Sequence, residues 1–104
     1  MSQLKVMFWH DIPGQVVVRQ GRRNVRYRLS TRFSHAIERA SYRLKKQGED
    51  GLFDPWHSVD QPFQGDVLKQ AQKLVEELEY SYDDQVLDRL IRASGIDHQR
   101  AINA

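Results

Sequence analysis

The sequence predicts an α+β domain: a three-stranded antiparallel meander, then a long helix and a C-terminal helical pair. Three observations carry that reading. Residues 4–29 are rich in β-branched and aromatic side chains that alternate between two faces, broken by short Pro, Gly and Asn turns. Residues 33–44 and 67–91 instead repeat their apolar side chains at steps of three and four, the spacing of one helix face. The length of 104 residues provides for one core and no second core of useful size.

Leu4-Lys5-Val6-Met7-Phe8-Trp9 alternates and forms the first strand. Ile12-Pro13-Gly14-Gln15 has Pro followed by Gly, the order a type II turn requires, and reads as the first hairpin turn. Residues 15–19, with three consecutive valines, make the second strand. Gln20-Gly21-Arg22-Arg23-Asn24 turns the chain again, and Val25-Arg26-Tyr27-Arg28-Leu29 is the third. Connections this short favour antiparallel neighbours.

Ser30 or Thr31 stands where an N-cap belongs, ahead of a stripe formed by Phe33, Ala36, Ile37, Ala40 and Leu44. That helix should run to about Gln47 and stop at Gly48. Residues 49–65 read as a loop held down by Leu52, Phe53, Trp56 and Phe63. Asp66 caps a second helix with Val67, Ala71, Leu74, Val75, Leu78 and Tyr82 inward. Ser81-Tyr82-Asp83-Asp84 reads as a capping box for a third helix, with Val86, Leu87, Leu90 and Ile91 inward and Gly95 at its end. Residues 1–95 are therefore expected to form the single domain, and residues 96–104 a frayed tail.

Composition excludes several chemistries. Without cysteine there is no disulfide, thiolate metal site or cysteine nucleophile. No apolar run approaches the length of a membrane span, and no cleavable leader is evident, so a soluble cytoplasmic protein with no membrane partner is expected. The four histidines lack metal-ligand spacing, and no phosphate-cradling glycine loop occurs, so neither a metal nor a cofactor is expected. His10-Asp11 resembles a general-base pair, but no nucleophile can be assigned beside it. An enzyme is therefore the least supported class.

Charge is distributed very unevenly. Residues 1–46 hold eleven Lys/Arg against two acids, a net +9, whereas residues 47–104 hold five against twelve, a net −7. Over residues 19–46 arginine outnumbers lysine eight to two, a bias suited to bidentate recognition of carboxylate or phosphate. Arg32, His35, Arg39, Arg43 and Lys46 recur at steps of three and four along one outward helix face, and Arg22 and Arg23 add a cluster in a turn. The halves could also neutralise each other. Lys5, Met7, Trp9, Val17, Arg19, Arg26 and Arg28 should share the sheet face turned away from the first helix. The second helix is expected to cover that face, with Glu76, Glu77 and Glu79 reaching its arginines at the rim.

Phe8-Trp9-His10-Asp11-Ile12-Pro13-Gly14-Gln15-Val16, Gly21-Arg22-Arg23, Leu29-Ser30-Thr31-Arg32-Phe33 and Ala36-Ile37-Glu38-Arg39-Ala40 together resemble a small bacterial family labelled "virulence factor". A similar module occurs in conserved virulence factor C, joined there to helical repeats. The resemblance covers residues 4–45, with weaker echoes at Trp56 and over residues 78–95. It implies a phenotype and carries over no catalytic residue. The expected function is a non-catalytic interaction or regulatory module that binds a protein partner through Arg22, Arg23, Arg32, Arg39 and Arg43. The alternative is single-stranded RNA or DNA binding through the same arginines, with Trp9 as the stacking residue.

Overall fold

A computed structural model describes residues 1–46 and 54–97. The elements run β1 (Ser2–Trp9), β2 (Ile12–Gln20), β3 (Arg23–Arg28), α1 (Thr31–Lys46), β4 (Trp56–Gln61), α2 (Val67–Ser81) and α3 (Asp84–Arg92). The fold is α+β as expected, but the sheet has four strands in the order β3-β2-β1-β4, not three. β4 lies inside the stretch read as a loop and pairs antiparallel with β1, from Leu4 opposite Gln61 to Trp9 opposite Trp56. Trp56-His57-Ser58-Val59-Asp60-Gln61 is almost entirely exposed, so it lacks the apolar alternation that marks a half-buried strand. The free backbone edge of β1 makes it a strand.

α1 and α2 pack on one face of this sheet, and α3 packs against α1. Leu4, Val6, Phe8, Val16 and Val18 form a single buried cluster with Phe33, Ala36 and Ala40 of α1, Val67, Ala71 and Leu78 of α2, and Leu87 and Leu90 of α3. Val17 points to the opposite face and stands outside that cluster. The expectation that α2 would cover the second face is therefore overturned. One apolar stripe per helix is enough to bury one face of the sheet. Among the described residues no helix packs on Val17 at the middle of the other face, while Gly95, just after α3, closes on Trp9 at its hairpin end.

The first turn also differs from expectation. Ile12 and Pro13 already belong to β2, and the chain reverses at His10 and Asp11, with His10 in the left-handed region at φ 51°. Gly14 sits at an irregularity in the β1–β2 register, with no positive φ. Its lack of a side chain serves packing: a Cβ there would stand 2.9 Å from the Trp56 ring. The second turn is as expected, with Gly21 at φ 61°.

Asp66 caps α2 by accepting from the Leu68 N–H at 3.0 Å. The cap of α3 falls on Asp83, which accepts from Val86 N–H at 2.9 Å, two residues beyond the serine expected to open the helix. Ser30 does not cap α1 through its hydroxyl; that group donates to Glu79 at 2.8 Å. The expected end of α1 at Gln47 and Gly48 lies outside the described residues. Ile96 and Asp97, read as the start of a frayed tail, are tied down instead. The Asp97 N–H donates to the Asp11 carboxylate at 2.6 Å, and Arg89 reaches Asp97 at 3.2 Å.

The packing role of Gly14 gives a stability prediction. Gly14→Ala should cost about 1 kcal/mol in the wild-type chain, because the added methyl must displace the Trp56 ring. In a Trp56→Ala background the same change should cost nothing within error. Urea midpoints of the four proteins measure this, and equal costs in both backgrounds would return Gly14 to a backbone role.

Candidate functional site

Strand pairing turns the outer face of the sheet into a grid. Gln3, Arg19 and Asn24 form one cross-strand row. The next row holds Asp60, Lys5, Val17 and Arg26, and the one after it Ser58, Met7, Gln15 and Arg28. Trp56 follows on the same side of β4, two residues before Ser58, and its ring reaches across β1 to Gly14. Rows stand about 7 Å apart and strands about 4.8 Å apart. Among the described residues this face holds four cations, Lys5, Arg19, Arg26 and Arg28, against one carboxylate, Asp60. Lys5 and Asp60 approach to 3.9 Å, with Asp60 largely in solvent. Such an exposed pair neutralises little.

The five arginines singled out from sequence occupy three different places. Arg22 and Arg23 are exposed at the β2–β3 turn, and Arg39 and Arg43 are exposed on α1 in the helix layer. No carboxylate among the described residues lies within ion-pair distance of any of these four. Arg32 is engaged within the fold. Its guanidinium donates to the Tyr82 carbonyl at 2.9 Å, the Glu79 carbonyl at 3.1 Å, the Glu79 carboxylate at 2.9 Å and Asp84 at 3.1 Å. It also lies 4.9 Å from the centre of the Phe33 ring.

Glu79 completes this junction, accepting from the Ser30 N–H at 2.6 Å as well as from the Ser30 hydroxyl and Arg32. The beginning of α1 is thereby fastened to the end of α2 and the start of α3. Burial pushes the Glu79 carboxyl up, but the Ser30 and Arg32 hydrogen bonds together outweigh it and hold the group below the ordinary glutamate range. The bond from Glu79 raises the Arg32 pKa; burial opposes that rise, and Asp84 adds to it.

Trp9 is 5% exposed, with Gly95 closed against its ring, so neither ring face is open to a base. Trp56 is 41% exposed and lies on the sheet face that carries the cations. The sequence marks it as an apolar anchor of a packed loop, and its exposure corrects that expectation. The period-two spacing of Trp56, Ser58 and Asp60 was the available signal, and it had no apolar partner row to make it legible. His10 and Asp11 hold the hairpin end: the His10 ring stands edge-on to Trp9, and Asp11 accepts the Asp97 N–H. A cleft of about 210 Å³ between β4 and α2, edged by Gln61, Gln70, Lys73 and Glu77, is smaller than usual small-molecule sites. Among the described residues no cluster of three or more His, Asp or Glu is placed to hold a metal ion. No helix among them is long and apolar enough to cross a membrane.

Fold and site together define a small two-layer α+β domain with three helices on one side of the sheet and an open, cation-rich face on the other. The family model described as "Virulence factor" matches residues 7–91, which run from within β1 to within α3, and the chain belongs to that family. A search of the curated proteins and a search of the solved structures each found no match.

The Glu79 junction predicts a pH-dependent stability. A carboxyl whose pKa is lowered in the folded state adds stability above its unfolded pKa, near 4.3, and loses that contribution as pH falls through the folded value. Glu79→Gln should therefore cost about 2 kcal/mol at pH 7, with the gap to wild type closing below about pH 4. Chemical denaturation across that range tests it, and a pH-independent gap would refute the charged junction.

Proposed function

We propose that this chain is a non-catalytic interaction module that docks an acidic partner through its exposed arginines, with the open sheet face at the centre of the dock. One observation carries the reading: Lys5, Arg19, Arg26 and Arg28 share a face that no helix among the described residues covers. Arg22 and Arg23 extend the positive surface past the β2–β3 turn. The acidic residues of α2, Glu76 and Glu77, belong to the helix layer and cannot screen the opposite side of the sheet at close range. The engagement of Asp11 with the backbone of Asp97 supports a binding role over a catalytic one, since the His10-Asp11 pair serves the fold.

A second surface supports a protein partner on α1. Arg39 and Arg43 are exposed there beside Tyr42, which is 60% exposed. Arginine and tyrosine are the side chains that most often anchor protein interfaces. The two surfaces lie on opposite layers and can be altered separately.

Retention on immobilised heparin tests the sheet reading. Arg26→Gln with Arg28→Gln should elute at clearly lower salt than wild type, because each lost cation removes a counterion-releasing contact. Both side chains are exposed, so stability should stay within about 0.5 kcal/mol. Arg39→Gln with Arg43→Gln should elute with wild type. Elution unaffected by the sheet pair would remove the sheet from the dock.

A further inference from the structure

We infer that the acidic partner of the open sheet face is a single-stranded nucleic acid, with the Trp56 indole stacking a base and Lys5, Arg19, Arg26 and Arg28 taking phosphates. This rests on the docking reading above and specifies its ligand.

Trp56 supplies the base site. Its ring is braced on Gly14, where no side chain intervenes, yet it stays 41% exposed. A ring already held in place loses little freedom when a base stacks on it. Any base can use it, because every base has a π-face.

The rows beyond Trp56 supply the backbone sites. Moving along the sheet, the first row brings Arg28, the next Lys5 and Arg26, and the third Arg19, so an extended strand meets a cation in each successive row. The uncharged polar side chains among them, Gln3, Gln15, Asn24 and Ser58, offer both donors and acceptors for base edges. The strong arginine bias fits phosphate oxygens, which accept paired N–H groups.

An acidic protein fits this face less well. A protein interface of ordinary size is built around a cluster of buried apolar anchors. Of the large apolar side chains exposed among the described residues, Trp56 is on this face, Val59 points to the other side of β4, Tyr42 and Tyr80 belong to helices, and Met1 stands alone ahead of β1. One indole in a field of cations matches a nucleotide. A duplex fits poorly too, because its base faces are already stacked within the helix.

Fluorescence anisotropy with labelled single-stranded RNA and DNA of about 12 nucleotides, a duplex of the same length and poly-glutamate decides the matter. Single strands should bind more tightly than either the duplex or poly-glutamate, with the tighter of the RNA and DNA arms identifying the natural source. Trp56→Ala should weaken single-strand binding about tenfold, and Trp56→Phe should restore most of it. Arg26→Gln with Arg28→Gln should flatten the slope of log K against log salt by about 1.4. Thermal unfolding of each variant confirms that the fold is intact. Equal single-strand binding by wild type and Trp56→Ala, or poly-glutamate bound as tightly as nucleic acid, overturns this inference and leaves the docking reading standing. Binding of no polyanion at about 50 mM salt overturns both.

Discussion

The fold depends on burial being one-sided. A chain of this length closes one core, and here β2 sits at its centre, with Val16 and Val18 fully buried beneath helices. Each helix contributes one narrow apolar stripe; those of α1 and α2 meet the same face of the sheet, and that of α3 joins the same core against α1. No apolar stripe among the described helices is left for the second face. The consequence is a second sheet surface on which Arg26 and Arg28 stand exposed at the edge, beside a half-buried Met7 and a Val17 that is 9% exposed.

The helix layer is organised by a polar contact. Arg32 and Glu79 lie about one-third exposed, yet between them they engage two backbone carbonyls, a backbone N–H, a hydroxyl and a second carboxylate. Charge-assisted, partly buried contacts with this many partners fix geometry as well as adding stability. The contact sets where α1 begins relative to the turn between α2 and α3. It also commits the Arg32 guanidinium to contacts within the fold.

The positive and negative halves of the sequence meet at few points. Lys5 with Asp60 and Arg32 with Glu79 and Asp84 cross between them, while Arg22, Arg23, Arg26, Arg28, Arg39 and Arg43 have no carboxylate partner among the described residues. The small net charge of +2 thus comes from separated surfaces more than from neutralised pairs. Separated surfaces of this kind steer charged partners in solution.

The sequence by itself determined the local elements whose signals are local. Alternation specified β1, β2 and β3, the three- and four-residue spacing specified the helices, Asp66 was legible as a cap, and Gly21 as a turn residue. These follow from backbone geometry and patterning within a few residues. The tertiary structure decided the rest. β4 exists because β1 offers an unpaired edge, Gly14 is small because Trp56 crosses the sheet to reach it, and Ser30 turns its hydroxyl to Glu79, 49 positions away. Among the candidate arginines, sequence spacing could not separate Arg32 from Arg39 or Arg43, since all share one helix face. Only the approach of Glu79, Tyr82 and Asp84 distinguishes it. The sequence pointed to both sheet faces being covered, because both carry enough apolar residues to receive a helix. The choice fell to the packing of three helices around one shared core.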